Sequence, residues 1–480
     1  MKRYIIALDE GTTSARALVY DTQENKVVSV VNKPFKQSYP HPGWVEQDPA
    51  VIWSMQFSAM TEAIGMAGIN VREVLTIGIT NQRETVVVWD KVTGKAVYPA
   101  IVWQCNRTAD FCGKLLQSEL SDTITKKTGL RVDSYFSASK LAWILDNVQG
   151  ARDNENLIFG TVDTYLLWKL TEGRVHATDY TNASRTLLYN ITEGKWDEEL
   201  CKIFNVPMRM LPEVHPSSHY YGECDIFDEP IPITAIAGDQ QSALFGQGCH
   251  TPGSAKNTYG TGCFMLVNTG EHRRDSEGLL TTLSCSDKLT YALEGSVFNA
   301  GSTIEWLKNE LGLINSHHEC EPLARSIDGT DGVYFVPAFS GLGTPYWDSD
   351  ARGTITGLTR GSGKAHIVRA VLEAMAYSVC DIAEAMSRAG EALTSLKVDG
   401  GVSKNSFLMQ FQADLLGVPV LRSENVEATA MGAIALAGKY FGVEVQESSP
   451  FVTFEPSMAR SRADELIYGW KRAVEKARLR

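Results

Sequence analysis

Short apolar runs that alternate with polar turns open the chain. The runs Tyr4–Leu8 and Ala17–Tyr20 are too short for stable helices and are rich in strand-forming residues, and a third run covers Lys26–Val31. The pattern predicts three successive strands, the first two joined by the polar segment Asp9–Arg16 at the tip of a β-hairpin. Since the glycine loop of a dinucleotide-binding Rossmann domain leads into a helix, three strands in succession argue against that fold.

Helical and strand patterns alternate through the rest of the first half. The predicted helices cover residues 49–66, 139–146, 161–170 and 240–245. The predicted strands cover residues 74–80, 85–89 and 231–237. The last strand runs into Gly238 and Asp239, which directly precede the fourth helix. This alternation predicts an α/β fold.

The second half begins by repeating the opening pattern. Ala255–Tyr259 and Cys263–Val267 are predicted strands around a Gly-Thr-Gly turn, and we interpret them as a diverged copy of the first hairpin. A helix over 367–388 and a strand over 396–399 that ends in a glycine pair follow. Because 480 residues exceed what one hydrophobic core holds, we expect two domains, residues 1–247 and 248–480. Their two Gly/Thr hairpins could clamp a polyphosphate.

Composition narrows the class of protein. Hydrophobic residues make up 44% and charged residues 21%, which is typical of soluble globular proteins. The net charge of −12 argues against a broad nucleic-acid surface. Nine scattered cysteines without a Cys-x-x-Cys pair favour a reducing, cytoplasmic compartment over a disulfide framework. No apolar run approaches the roughly 20 residues of a transmembrane helix, so we expect no integral membrane segment.

The tip of the first hairpin carries groups that suit a phosphate. Gly11 allows the backbone to approach closely, and the hydroxyls of Thr12, Thr13 and Ser14 can donate hydrogen bonds to phosphate oxygens. Asp9 can hold magnesium, a hard cation that prefers carboxylate oxygen. The alternative is a turn stabilised by its own Asp, Thr and Ser side chains, and the segment alone leaves both interpretations open.

Asp239 is a second carboxylate at the end of a strand. A helix follows it, so Asp239 is either an N-cap or a carboxylate that serves a reaction centre. A helix N-terminus lowers the pKa of a carboxyl group, which would keep Asp239 ionised. Paired with Asp9, it could accept a proton from an attacking hydroxyl while Asp9 binds the metal.

Polar and aromatic residues suggest a polyol pocket. The segment Asn81–Glu84 presents four consecutive polar side chains between two predicted strands, and Trp103 and Tyr135 could cover C–H faces. The alternatives are a solvated turn with an ion pair and two core aromatics.

Taken together, these residues closely resemble the FGGY family of carbohydrate kinases, in the actin-like ATPase superfamily. The resemblance rests on segments spread over nearly the whole chain, which are Asp9–Arg16, Pro42–Glu46, Gly78–Thr85, Ile101–Cys105, Tyr135–Asn147, Thr178–Thr186, Ala237–Gln241, Asn257–Phe264, Gly353–Glu373 and Val398–Gly401. It implies two actin-like, ribonuclease H-like domains, each with a mixed β-sheet flanked by helices, around a central cleft.

The resemblance also implies an activity: ATP-dependent phosphorylation of glycerol to sn-glycerol 3-phosphate with release of ADP, in glycerol uptake and catabolism. Another polyol or sugar kinase of the family is the alternative, and a non-catalytic ATP-dependent switch is a rival from another class. ATP and magnesium are the implied cofactors, and a homodimer or homotetramer is the implied assembly.

Carried over position by position, the resemblance assigns site residues. The glycerol site is implied to consist of Arg83, Glu84, Trp103, Tyr135, Asp239, Gln240 and Phe264. The nucleotide contacts are implied to be Thr12, Thr13, Ser14, Arg16, Thr261, Gly301, Glu305, Gly401 and Asn405. Asp9 is implied to organise magnesium, and Asp239 to act as general base.

Two positions and one segment depart from the family pattern. Glu10 and Glu305 each stand where a Gln is usual, which changes local charge beside Asp9 and removes an amide donor near the nucleotide. The segment Gly222–Pro230 is acidic and carries neither the Gly/Lys/Arg-rich loop for fructose 1,6-bisphosphate nor the phosphorylated histidine of some bacterial members. The sequence therefore predicts that neither form of control operates.

Overall fold

The computed structural model describes residues 2–423, 427–445 and 450–479. The chain forms two compact units. The first contains residues 1–248, 281–291 and 427–447, and the second contains residues 249–280, 292–426 and 448–480. Residues 281–291 and 427–447 thus belong to the first unit, so one boundary in the sequence does not separate the two units.

The strands of the described chain are β1 Tyr4–Glu10, β2 Ser14–Asp21, β3 Lys26–Pro34, β4 Glu46–Gln47, β5 Val74–Asn81, β6 Val87–Asp90, β7 Ala100–Ile101, β8 Leu157–Gly160, β9 Ala177–Asp179, β10 Tyr189–Asn190, β11 Lys195–Trp196, β12 Glu213–His215, β13 Ser218–Cys224, β14 Ile231–Gly238, β15 Ala255–Tyr259, β16 Cys263–Gly270, β17 Leu280–Leu283, β18 Tyr291–Val297, β19 Tyr334–Val336, β20 Thr354–Thr356, β21 Leu396–Asp399, β22 Val420–Ser423 and β23 Phe451–Phe454.

The α-helices are α1 Pro49–Ala67, α2 Ala109–Leu116, α3 Leu120–Thr128, α4 Ser137–Asn147, α5 Val162–Leu170, α6 Tyr180–Ala183, α7 Glu198–Ile203, α8 Asp239–Gly246, α9 Gly301–Asn309, α10 Cys320–Arg325, α11 Lys364–Arg388, α12 Ser406–Leu416, α13 Ala428–Tyr440 and α14 Arg460–Arg478. Short 3₁₀ helices cover Val71–Glu73, Met208–Met210, His317–Glu319 and Gly401–Lys404. In the described ranges, no helix combines the length and apolarity needed to cross a bilayer.

The sheet of the first unit has the strand order β13-β14-β5-β1-β2-β3. The predicted opening hairpin is confirmed, because β1 and β2 pair antiparallel with Asp9 opposite Arg16. Strands β5 and β14 run parallel to β1, with Asp9 opposite Thr80 and Gly238 opposite Asn81. The carboxyl ends of β1, β5 and β14 therefore meet at one edge, where ligands commonly bind in α/β sheets.

The second unit repeats this topology. Its strands β18-β16-β15-β21-β22-β23 are neighbours in that order, with β15 antiparallel to β16 and parallel to β21. Strand β22 is parallel to β21, and the edge strand β23 is antiparallel to β22. The hairpin, the parallel strands and the antiparallel edge strand thus recur, which agrees with the diverged repeat. The antiparallel edge strand differs in chain order, since β13 precedes β14 whereas β23 follows β22.

One predicted strand begins later than expected. The run at 85–89 becomes β6 only from Val87, because the chain turns sharply just before it. Glu84 has a φ of +60°, and the Thr85 N–H donates to the Arg83 carbonyl at 2.7 Å. This three-residue turn is uncommon for a residue other than glycine and raises the conformational energy locally.

Helix α13 covers one face of the first sheet. Ala433 and Ile434 of α13 share an apolar cluster with Ile5 and Ala7 of β1, while Ile6 belongs to the cluster on the opposite face. Because β1 is buried on both faces, it reads as a continuous apolar run rather than an alternating one.

Helix α13 also approaches helix α8 closely at two glycines. A Cβ built on Gly432 would lie 1.9 Å from the Ser242 carbonyl oxygen, and one on Gly246 would lie 2.2 Å from the Ala428 carbonyl oxygen. The Ser242 hydroxyl donates to the Thr429 carbonyl at 2.7 Å. Glycine at these two positions therefore sets the position of α8, the helix that begins at Asp239.

The variant Gly432→Ala is expected to lower the free energy of unfolding by about 1–3 kcal/mol, because its new methyl group must displace backbone. Gly65→Ala in α1 is the matched control, since its Cβ would meet no atom within 4 Å. That variant should stabilise the protein by about 0.5–1 kcal/mol. Urea unfolding measures both changes, and equal effects of the two variants would contradict the close approach.

Candidate active site

The first hairpin ends in a tip formed by residues 11–13, which we call the hairpin tip. The Gly11 N–H donates to the Ser14 carbonyl at 2.9 Å and closes the loop. Thr13 is exposed, and Thr12 and Ser14 are half-buried. The alternative of a turn stabilised by its own side chains is not what holds this loop, because its carbonyls bond to groups from elsewhere in the chain.

Asp9 is a buried carboxylate with close charged neighbours. Burial raises the pKa of Asp9 to about 7, and the negative charges of Glu427 and Asp239 act in the same direction. The Arg16 guanidinium opposes this shift, and it also pairs with Glu427 at 3.1 Å. Asp9 and Asp239, which are far apart in sequence, are therefore near enough to interact electrostatically.

Glu10 lies next to Asp9 in surroundings that disfavour a negative charge. Its side chain is fully buried, and neither carboxyl oxygen has a hydrogen-bond partner among the described residues. Burial, with a smaller contribution from Asp9, raises the pKa of Glu10 well above its usual value. This shift favours the protonated, uncharged form of the Glu10 carboxyl group.

Six of the residues predicted to bind glycerol lie together in the first unit. They are Arg83, Glu84, Trp103, Tyr135, Asp239 and Gln240, and we refer to them as the Arg83 cluster. The seventh, Phe264, is a half-buried residue of β16 in the second unit.

Arg83 is the centre of this cluster. Its Nε lies 3.3 Å from Asp239 Oδ1 and 3.8 Å from Glu84 Oε1, and Nη1 donates to Gln241 Oε1 at 3.1 Å. The aliphatic part of Arg83 packs on Gly238, where a Cβ would come within 2.7 Å. The segment 81–84 is buried, so the alternative of a solvated turn is wrong.

Hydrogen bonds hold both the side chain and the backbone carbonyl of Glu84. Arg185 Nε donates to Glu84 Oε1 at 2.6 Å, and the Ser137 hydroxyl donates to the Glu84 carbonyl at 3.1 Å. Both Arg185 and Glu84 are buried, so this is a desolvated ion pair supported by hydrogen bonds. These contacts keep Glu84 in its strained backbone conformation, as strained residues at functional sites require.

Two aromatic rings flank the cluster. Trp103 and Tyr135 meet edge-to-face at 5.6 Å, and Arg83 Nη2 lies 3.5 Å from the Tyr135 hydroxyl. Lys140 donates from behind to the Tyr135 and Phe136 carbonyls at 2.6 and 2.8 Å. Lys140 is fully buried, and this burial lowers the pKa of its ammonium group to about 8.

Asp239 is the first residue of α8, and Gly238 occupies the N-cap position. The carboxylate accepts a hydrogen bond from the Gln240 N–H at 2.7 Å and faces Arg83. The Gly238 N–H donates to the Thr181 hydroxyl at 2.8 Å, and that hydroxyl donates to the Asp179 carboxylate. The start of α8 is thus fixed by buried polar groups, and Asp239 is not its N-cap.

Three predicted nucleotide contacts lie together in the second unit. The Ala300 N–H donates to the Thr261 carbonyl at 2.8 Å, which brings the second hairpin to the start of α9. Gly301 lies so close to Gly260 that a Cβ would be 2.6 Å from its carbonyl oxygen, and 3.1 Å from Val402, the residue after Gly401.

The two remaining nucleotide residues of the second unit have structural partners. Asn405 caps α12 by accepting the Leu408 N–H at 3.0 Å. Glu305 lies on the exposed side of α9, 2.8 Å from His317 Nε2, and accepts from Asn309 at 3.2 Å. A carboxylate suits the Glu305 position because both of these partners can donate.

The surroundings of Asp9 fit a magnesium ion. Asp9 brings a carboxylate, and Thr80, opposite it in the register, has a buried hydroxyl without a hydrogen-bond partner among the described residues. Within those residues, no group of three or more His, Cys, Asp or Glu side chains could hold a metal by itself. Magnesium commonly takes one or two protein carboxylates and completes its shell with phosphate and water.

Sequence reasoning missed several residues of the site. Arg185 and Lys140 lay inside segments that carried the family resemblance but had no assigned role. A basic residue within an otherwise apolar or small-residue segment was the available signal. The partner of Arg185, the Glu84 carboxylate, lies 101 positions away and becomes visible only after folding, whereas the Tyr135 carbonyl lies five residues before Lys140.

The variant Arg185→Met is expected to lower the free energy of unfolding by about 3 kcal/mol, because the buried Glu84 carboxylate would lose the cationic partner that lies 2.6 Å from it. The control is Arg72→Met, which removes an exposed ion pair with Glu229 and should change stability by less than about 1 kcal/mol. Urea unfolding measures both, and a neutral Arg185 variant would contradict this account.

Lys140 should make stability depend on pH. The folded protein releases the Lys140 proton near pH 8 and the unfolded chain near its ordinary value of 10.5, so stability gained from Lys140 rises with pH between these values. Glu84, Cys105, Cys112 and Asp133 face the ammonium and favour its charged form. The unfolding free energy of wild type minus that of Lys140→Met should therefore increase from about pH 8 to about pH 10. A constant difference would contradict the lowered pKa.

Comparison with known proteins gives family models and relatives that agree with one another. Residues 4–246 match the N-terminal domain of the FGGY family of carbohydrate kinases, and residues 255–440 match its C-terminal domain. The chain is 54% identical to glycerol kinase 1 of Clostridium tetani, covering 99% of both chains. It is also 54% identical to the glycerol kinase of Carboxydothermus hydrogenoformans, covering 99% of this chain and 98% of the relative.

Solved structures agree with the two-domain α/β prediction. The Plasmodium falciparum glycerol kinase crystallised with ADP superposes with a TM-score of 0.90 at 37% identity, covering 99% of this chain and 98% of the other. A xylulose kinase from Rhodospirillum rubrum, at 24% identity, shares the fold with a TM-score of 0.87 over 99% of both chains. The chain therefore belongs to the FGGY family of carbohydrate kinases.

Proposed function

We propose that this protein phosphorylates glycerol with ATP to give sn-glycerol 3-phosphate and ADP. The observation that carries the proposal is the Arg83 cluster, where hydroxyl-binding groups and two rings surround a carboxylate in one small region. Relatives named glycerol kinase at 54% identity over 99% of the chain support glycerol as the acceptor.

The Arg83 cluster suits a small polyol. Arg83 offers N–H donors and Glu84 offers acceptors, and both are buried, so a hydroxyl that binds there exchanges water for directed hydrogen bonds. Trp103 and Tyr135 present ring surfaces to the C–H face of a three-carbon chain. We propose that Gln240 and Phe264 complete this site.

Asp239 is the proposed general base. It accepts the proton of the terminal hydroxyl as that oxygen forms a bond to the γ-phosphorus and the bond between the γ-phosphorus and the β–γ bridging oxygen breaks, so that ADP leaves. The Arg83 guanidinium at 3.3 Å favours the ionised carboxylate. Phosphoryl transfer depends mostly on alignment and charge neutralisation, which a rigid polar cluster supplies.

The proposed nucleotide contacts follow the family pattern. We propose that Thr12, Thr13, Ser14 and Arg16 contact the phosphates and that Thr261, Gly301, Glu305, Gly401 and Asn405 contact the rest of the nucleotide. Asp9 would hold magnesium, which supplies neutralisation of phosphate charge. Arg16 already partly offsets the Asp9 and Glu427 charges.

ADP release in the presence of magnesium and ATP tests the proposed function. We expect release to depend on glycerol, with a higher kcat/KM for glycerol than for erythritol or xylulose, because two rings and a buried Arg83 leave a small site. A pentose or tetritol with the higher kcat/KM would assign the protein to another kinase of the family. A rate of ADP release that no polyol changes would favour a non-catalytic switch.

The variant Asp239→Asn separates binding from transfer. It preserves the size of the side chain, so glycerol and nucleotide should still bind while kcat falls by roughly 10²–10⁴-fold. Asp228→Asn, in the exposed part of the acidic loop, is the matched control and should behave as wild type. Retained turnover in the Asp239 variant would mean that another group accepts the proton.

A further inference from the structure

Two buried glutamines hold the hairpin tip. Gln47 Nε2 donates to the Thr12 carbonyl at 2.6 Å. Gln82 Nε2 donates to the Gly11 carbonyl at 3.2 Å and to Gln47 Oε1 at 3.0 Å. The two side-chain amides therefore bind consecutive carbonyls of the tip and each other.

Further hydrogen bonds connect these glutamines to Trp103, a member of the Arg83 cluster. The Thr85 hydroxyl donates to Gln82 Oε1 at 2.9 Å and accepts the Trp103 backbone N–H at 3.2 Å. The Trp103 indole Nε1 then donates to the Thr12 hydroxyl at 3.0 Å. These bonds form a closed ring, which we call the glutamine ring, through Gln47, Gln82, Thr85, Trp103 and Thr12.

The glutamine ring determines how the tip faces a ligand. In a trans peptide the carbonyl and the following N–H point in opposite directions. Because Gln82 and Gln47 hold the Gly11 and Thr12 carbonyls, the N–H groups of Thr12 and Thr13 are turned away from the glutamines. Such outward amides are the groups that bind phosphate oxygens in turns.

Burial makes the ring stiff. Gln47, Gln82 and Thr85 are exposed by only 2%, 1% and 0%. In this environment water cannot readily replace a broken bond, so each donor or acceptor that loses its partner stays unsatisfied. Loss of one member should therefore let the tip move relative to the Trp103 ring, which also packs against Tyr135.

We propose that Gln47, Gln82 and Thr85 are positioning residues. They align the phosphate-binding tip with Trp103, a ring of the proposed glycerol site. This inference rests on the proposed function, and it adds a specificity: the transferred phosphoryl group goes to the bound alcohol rather than to water. A loosened tip would present the γ-phosphorus out of line with the alcohol, and water would compete as acceptor, giving ADP and inorganic phosphate.

The test compares Gln82→Met and Gln47→Met, which keep side-chain length but remove the amide. We expect kcat for glycerol phosphorylation to fall about 10–100-fold with the KM for glycerol within about threefold, because alignment rather than acceptor binding is lost. The ratio of inorganic phosphate to glycerol 3-phosphate should rise about tenfold, since a misaligned alcohol no longer excludes water as the acceptor.

Conservative variants separate positioning from simple loss of structure. Thr85→Val should resemble Gln82→Met, whereas Thr85→Ser keeps the hydroxyl and should restore kcat and the product ratio. Gln104→Met is the control, since Gln104 is exposed and bonds only weakly to Gln37 at 3.5 Å. Urea unfolding confirms that each variant is folded under assay conditions.

Hydrogen exchange of the Gly11 amide, which donates to the Ser14 carbonyl across the tip, provides a readout independent of turnover. We expect faster exchange in Gln82→Met, Gln47→Met and Thr85→Val and unchanged exchange in Thr85→Ser and Gln104→Met. Wild-type exchange rates and product ratios in the Met and Val variants would overturn the positioning role. If wild type itself fails to phosphorylate glycerol, the proposed function falls, while the exchange data still decide whether the ring holds the tip.

Discussion

The parallel alignment of β1, β5 and β14 is the constraint on which the site depends. Parallel strands end at the same edge, and the register places Asp9 beside Thr80 and Gly238 beside Asn81. Asp9, the polar segment after β5 and Asp239 therefore converge without any long or flexible connection. A slip of one residue in this register would turn the Asp9 side chain to the opposite face of the sheet.

Charge compensation is the second condition. The region holds several buried ionisable groups, and each acidic group of the Arg83 cluster has a basic neighbour: Arg83 for Asp239, and Arg185 with Arg83 for Glu84. Buried ion pairs of this kind contribute little net stability, but they fix geometry because an unpaired partner is strongly disfavoured. Glu10 has no such basic neighbour within the Arg83 cluster, and burial raises its pKa well above the usual value instead.

Specific side chains also hold backbone groups around the site. The carbonyls of the hairpin tip bond to Gln82 and Gln47, the Tyr135 carbonyl bonds to Lys140, and the Gly238 N–H bonds to Thr181. None of these side chains belongs to the group expected to touch glycerol. They hold the segments that carry that group, which is how a precise site is built on rigid elements.

The sequence by itself determined the element types, the recurring hairpin, the α/β class and the family, because these depend on local periodicity and on motifs of contiguous residues. It also singled out Asp9, Arg83, Glu84 and Asp239, since polar residues at strand ends are visible in the chain. Only the tertiary structure decided that segment 81–84 is buried, that Arg185 pairs with Glu84, and that Gln47 and Gln82 hold the hairpin tip. These contacts join residues 35 to 101 positions apart, and no local pattern reports which distant side chain a desolvated group will meet.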